Sequence, residues 1–171
     1  KTSFTCSDIG SNDVVVRATD VAGVFTEDTV QVTVADTELP TVSARSSFTL
    51  EVGLTGAGTL SVSDVLLSSS DNCGIVSSTL NKTSFTCSDV QDSAHVVTLT
   101  VVDSSGNSAS QDIDVFVRDT QDPTFVSTPF TAYLDASGAA DTAPSFSDGC
   151  GVQSVVASPN PGLCSHIGNP F

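Results

Sequence analysis

The run Asp28-Thr-Val-Gln-Val-Thr-Val-Ala35 alternates strictly, with Val30, Val32 and Val34 on one side and Thr29, Gln31 and Thr33 on the other. A period of two is the pattern of a half-buried antiparallel strand. Asp13-Val-Val-Val-Arg-Ala-Thr-Asp20 precedes it, and Asp20-Val-Ala-Gly23 between the two reads as a hairpin turn. The same strand, turn, strand design returns at His95–Val102, Asp103–Asn107 and Ile113–Val117. Between these hairpins, Phe48, Leu50 and Val52 alternate inward, and Ile75–Leu80 and Thr83–Cys87 are further strand candidates. Thr59–Ser63 reads as a strand, Asp64–Leu67 as a short helical turn, and Ser68–Gly74 as a polar turn cluster. Asp36-Thr-Glu-Leu-Pro40 and Asp119-Thr-Gln-Asp-Pro123 close each hairpin, since proline cannot donate to an interior ladder.

The recurrence is literal in one place. Lys1–Asp8 and Lys82–Asp89 both read KTSFTCSD, 81 positions apart. Ser147-Asp-Gly-Cys-Gly-Val152 likewise answers Ser70-Asp-Asn-Cys-Gly-Ile75, and Phe130–Asp135 answers Phe48–Val52. Fixed-period similarity marks a repeat protein. The unit length suits small immunoglobulin-like β-sandwich modules, so the expected fold is all-β, in tandem modules. The phase is permuted: 1–40 reads as the C-terminal half of a module, 41–122 as a whole one, and 123–171 as an N-terminal half. The chain is then a window on a longer array, or the N-terminal half in one subunit completes the C-terminal half of the next. β-Strand complementation of that kind is head-to-tail and builds an open filament.

Cysteine spacing extends the picture. Five cysteines in this pattern point to an oxidising compartment. Cys73 and Cys87 lie 14 apart, as do Cys150 and Cys164, and each pair is expected to form a cystine within its module. Cys6 occupies the position of Cys87, so its partner is expected before residue 1 or in a neighbour; a reactive thiol is the competing reading.

At Ser-Asp-Asn-Cys-Gly74, Lys82–Asp89, Val97–Asn107 and Asp119–Thr124 the chain resembles hyalin-repeat-like (HYR-like) modules. It is similar, more closely, to the tandem immunoglobulin-like repeats of very large secreted bacterial surface proteins and adhesins. The resemblance spans almost the whole length in permuted phase. It implies a β-sandwich, display at the cell surface or outside the cell, and a structural or adhesive role without catalysis. Asp20-Val-Ala-Gly-Val24, which lacks the counterpart of Asn107, and Pro161–His166 depart from the pattern.

Charge narrows the partners. Five Lys+Arg against twenty Asp+Glu give a net charge of −15, which opposes binding of a phosphate backbone or an anionic membrane surface. No apolar run is long enough to span a membrane. The expected partners are further copies of the chain or adjoining repeats, with glycans as attachments. Asn81-Lys-Thr83 is a glycosylation sequon, and Thr29, Ser93 and Thr142 lie in Asp-Ser/Thr-apolar patterns suited to O-glycans; plain surface hydroxyls are the competing reading. Asp36, Asp71, Asp103, Asp119 and Asp122 fall in loops and beside the closing prolines, where carboxylates and loop carbonyls suit calcium. Turn-forming aspartates on a solvated surface are the alternative.

Catalysis finds little support. His95 and His166 lie in different repeats, and no nucleophile elbow, zinc-protease helix or phosphate-binding glycine loop occurs. Tyr133 alone makes a poor carbohydrate platform. The reading is a structural subunit of an extracellular filament or surface fibre. The alternative is a calcium-stiffened spacer of a giant adhesin presenting a remote tip.

Overall fold

The structure, a computed structural model, describes residues 2–126 and 146–155. It is all-β. Strands β1 (Gly10–Thr19) and β2 (Phe25–Val34) form a ladder by themselves. The central segment holds β3 (Thr41–Ala44), β4 (Ser47–Glu51), β5 (Ala57–Thr59), the single helical turn α1 (Val62–Val65), β6 (Leu66–Ser70), β7 (Ile75–Leu80), β8 (Ser84–Thr86), β9 (His95–Asp103) and β10 (Ser108–Arg118). A short ladder of β11 (Thr124–Phe125) with β12 (Phe146–Ser147) follows. The sequence-predicted strand over Thr59–Ser63 ends at Thr59. Asp64 there accepts the Ser61 N–H at 2.8 Å, and its chain turns into α1 instead.

The central segment has two layers. One is a four-stranded sheet in the order β4-β10-β9-β7, with β4 parallel to β10. The other consists of the ladders β3–β6 and β5–β8, with α1 between them in sequence. Alternate residues of β9 and β10 face the core, so Val97, Leu99, Ile113, Val115 and Val117 are fully buried against Leu50, Val52, Leu60, Val65 and Phe85. Burying each such side chain contributes roughly 1.5–3 kcal/mol, which offsets the ordering entropy of a segment poor in aromatics.

The flanking segments repeat the central one in detail. β1 and β2 pair Val14 with Val30; β9 and β10 pair Val97 with Ile113, the same register 83 positions on. Both hairpins turn alike: Asp20 Oδ1 accepts the N–H groups of Ala22 and Val24, and Asp103 Oδ1 those of Ser105 and Asn107. Gly23 (φ 86°) and Gly106 (φ 90°) supply the left-handed residue each turn requires. At the other flank, Thr124 pairs with Ser147 as Thr41 pairs with Ser70, and both threonine hydroxyls donate to the serine carbonyl. Burial is where they differ. Val14 is 9% exposed, but Val16 and Val30 are 51% and 43% exposed, although their counterparts Leu99 and Ile113 are sealed.

The repeated octapeptide is a local device. Its Thr-Cys-Ser-Asp forms a 3-10 turn at Cys6–Asp8 and again at Cys87–Asp89, with Asp8 and Asp89 accepting the N–H of Thr5 and Thr86 at 2.9 and 2.8 Å. In the second copy Lys82 Nζ lies 2.6 Å from Asp89 Oδ1. The Lys82 contact, then the Thr86 N–H, hold the Asp89 carboxyl below its ordinary value of 3.8. A depressed carboxylate stabilises the fold above that value and loses its contribution as pH falls through the lower folded value. Melting temperature is therefore expected to drop on acidification below about pH 4. Asp89→Asn should flatten that slope in thermal melts; an unchanged slope would refute the role.

Candidate functional site

The chemistry lies where the flanking segments meet the central one. Cys6 is bonded to Cys73, with Cα atoms 5.4 Å apart, and Cys87 to Cys150, at 5.2 Å. Each cystine thus ties a flanking segment to the central one. This corrects the expected pairing of Cys73 with Cys87, and that of Cys150 with Cys164, whose sulfur lies outside the described residues. It also supplies Cys6 with a partner inside the chain. The physical reason is separation. Cys73 sits by the β9–β10 turn, where its carbonyl accepts the Ser104 hydroxyl, and Cys87 sits by the β4–β5 turn, its N–H donating to the Gly56 carbonyl. Those turns flank opposite ends of β9, a nine-residue strand, which is about 27 Å long at the usual rise.

Donor and acceptor sides of the two cystines are built alike. Cys6 and Cys87 ride on the 3-10 turns. Cys73 and Cys150 each donate their N–H to the aspartate two residues before, Asp71 Oδ1 or Asp148 Oδ1, at 2.8 Å, and are followed by a left-handed glycine. At the second junction the chains approach closely: a Cβ on Gly56 would collide with the Gly149 carbonyl oxygen and the Cys87 sulfur.

Beside the first cystine lies an acidic cluster. Asp36, on the segment after β2, Asp71, before β7, and Asp103, at the end of β9, each present a carboxylate oxygen within 4.8 Å of the other two. Asp103 is 1% exposed. Its Oδ1 accepts the Ser105 and Asn107 N–H groups and its Oδ2 accepts Asn107 Nδ2 at 2.8 Å. Burial pushes the Asp103 carboxyl up, but the Asn107 side chain and the backbone N–H groups outweigh it and hold the group below its usual range. Asn107 Nδ2 also donates to the Asp36 carbonyl, and Ser105 Oγ to Asp36 Oδ2. Asp71 Oδ2 is buried without a hydrogen-bond partner. None of the three carboxylates is ion-paired to a described Lys or Arg.

Three of the five aspartates singled out in the sequence therefore converge. Asp119 and Asp122 stand at the second junction, outside the cluster; Asp119 Oδ1 accepts the Gln121 N–H as Asp36 Oδ1 accepts that of Glu38. Sequence reasoning missed Asn107 and Ser105, whose signal was their place in the Asp103 turn. Of the expected glycan positions, Thr29, Ser93 and Asn81 are exposed, with Asn81 Oδ1 accepting the Thr98 N–H at 3.0 Å, and Thr142 lies outside the described residues. Tyr133 and His166 also lie outside them.

No helix among the described residues is long and apolar enough to cross a membrane. Two cystines fit an oxidising compartment. No family model matches the chain, and neither a curated protein nor a solved structure does.

Proposed function

We propose that the chain is a structural element of an extracellular filament or surface fibre, made of immunoglobulin-like modules joined end to end. Residues 1–40 are the second half of one module, 41–122 a whole module and 123–171 the first half of the next. The observation that carries the reading is that both cystines join the central segment to a flanking one, in the same way each time. A cystine within a module stabilises that module; one between modules makes every step of an array covalent. The two cystines also lie by opposite ends of β9, which suits modules that follow one another along one axis.

The exposed apolar face of β1–β2 supports the same reading. Its counterpart in the central segment is covered by the opposite layer, with Val65 of α1 and Phe85 of β8 against it, and an array supplies such a cover from an adjoining module or another copy. Sedimentation velocity of the chain across a hundredfold concentration range is expected to show end-to-end oligomers, with slow amide exchange in β1 and β2. A strictly monomeric chain whose β1–β2 amides exchange freely would refute self-association. The reading assigns no catalysis.

A second reading is a spacer of a large adhesin that holds a remote tip away from the surface. The acidic cluster at the first junction favours it, because an ion bound there would stiffen the step between modules.

A further inference from the structure

The geometry points to a calcium site at the first junction, formed by Asp36, Asp71 and Asp103, of which Asp71 carries a buried, unpartnered Oδ2. The spacer reading rests on this site, whereas the site rests only on the geometry of this chain. Four observations carry it.

The carboxylate oxygens lie within 4.8 Å of one another. Ligands 2.3–2.6 Å from a shared calcium stand no more than about 5 Å apart, so the spacing fits one ion. Second, a buried anionic oxygen without a donor costs more than any other polar group to leave unmet, and Asp71 Oδ2 is in that condition. The feature recurs at the second junction, where Asp148 Oδ2 is also buried and unpartnered.

Third, the surroundings orient the ligands and leave their charge standing. Asn107 and Ser105 donate to Asp103 and Asp36 and hold both in place, but no described lysine or arginine is paired with the cluster. Fourth, the donor set is all oxygen. The nearby sulfurs of Cys6 and Cys73 are consumed in a cystine, and among the described residues no histidine belongs to the cluster. Hard carboxylate oxygens suit calcium, magnesium or manganese rather than zinc or copper. Magnesium demands near-ideal octahedral geometry and gives up its waters reluctantly, whereas calcium tolerates irregular sets of carboxylates and loop carbonyls. The site accordingly favours calcium over magnesium.

The ligands come from both sides of a boundary. Asp36 belongs to the segment leaving β2, and Asp71 and Asp103 to two loops of the central segment. The ion bridges the junction beside the cystine, and the two fix its angle together.

Calorimetric titration of the chelator-stripped chain with calcium chloride, repeated in excess magnesium, tests the assignment. Saturable binding that survives magnesium and raises the melting temperature is expected, with affinity at least about tenfold weaker in Asp71→Asn and in Asp36→Asn. Asp122→Asn, outside the cluster, should bind as the parent does. Far-UV circular dichroism in chelator shows whether each variant is folded; if Asp71→Asn is not, Asp36→Asn, on the linking segment, decides. The assignment is overturned by no saturable heat at millimolar calcium, by equal displacement with magnesium, or by a folded Asp36→Asn of undiminished affinity. Because the binding is measured on dilute chain, failure of end-to-end assembly leaves this result readable, and failure here leaves the cystine-linked fibre standing.

Discussion

Cys87→Ser combined with Cys150→Ser is expected to release the β11–β12 ladder from the central segment while the core of that segment survives. The bond closes a loop spanning a sequence separation of 63. In the chain-entropy account a loop of that size contributes about 4 kcal/mol, subject to strain. The close approach of Gly56 to Gly149 depends on the chains staying in register. Hydrogen exchange should therefore show lost protection in β11 and β12, with β9 and β10 still slow. Peptide mapping without reduction provides the sharper check. A peptide joining Cys6 to Cys73 and another joining Cys87 to Cys150 are expected, and a Cys73–Cys87 peptide would sink the crossing pattern together with the fibre reading.

Ile113→Ala and Val30→Ala make the second large prediction, as a matched pair. The two residues hold the same place in their hairpins, opposite Val97 and Val14. Ile113 is sealed in the core, and its truncation should cost about 2–5 kcal/mol through lost burial and the cavity left behind. Val30 is 43% exposed in the single chain, so the same truncation should cost under about 1 kcal/mol there, within the range usual for surface changes. Under conditions where the chain assembles, the Val30 penalty should grow toward that of a core position and show as weaker association. If Val30→Ala assembles as strongly as the parent, the apolar face of β1–β2 is not what neighbours cover.

Strands and turns were legible in the sequence because their causes are local. Alternation in Asp28–Ala35 and His95–Val102 requires only a period of two, and Asp103-Ser-Ser-Gly-Asn107 carries its own turn chemistry. The octapeptide repeated at Lys1 and Lys82 builds the same 3-10 turn twice, from hydrogen bonds that span three residues. Even the choice of aspartates was partly readable, since Asp36, Asp71 and Asp103 stand where loops must fall.

Long-range pairing was not legible. The equal spacing of 14 between Cys73 and Cys87 and between Cys150 and Cys164 is a property of the repeat. It does not say which sulfur meets which, because β7 and β8 carry the intervening chain along the length of the sheet. A signal did exist: Cys6 and Cys87 share one turn motif, and Cys73 and Cys150 share another, so either motif has to meet the other in the same way at each boundary. Convergence of the three carboxylates depends likewise on the tertiary structure. The segment after β2 must be drawn against two loops that are 32 residues apart from one another, at Asp71 and Asp103. The sequence by itself determined a repeating all-β chain with acidic boundaries; packing of one repeat against the next decided which cysteines bond and which carboxylates share a site, because those outcomes depend on distances that no local pattern encodes.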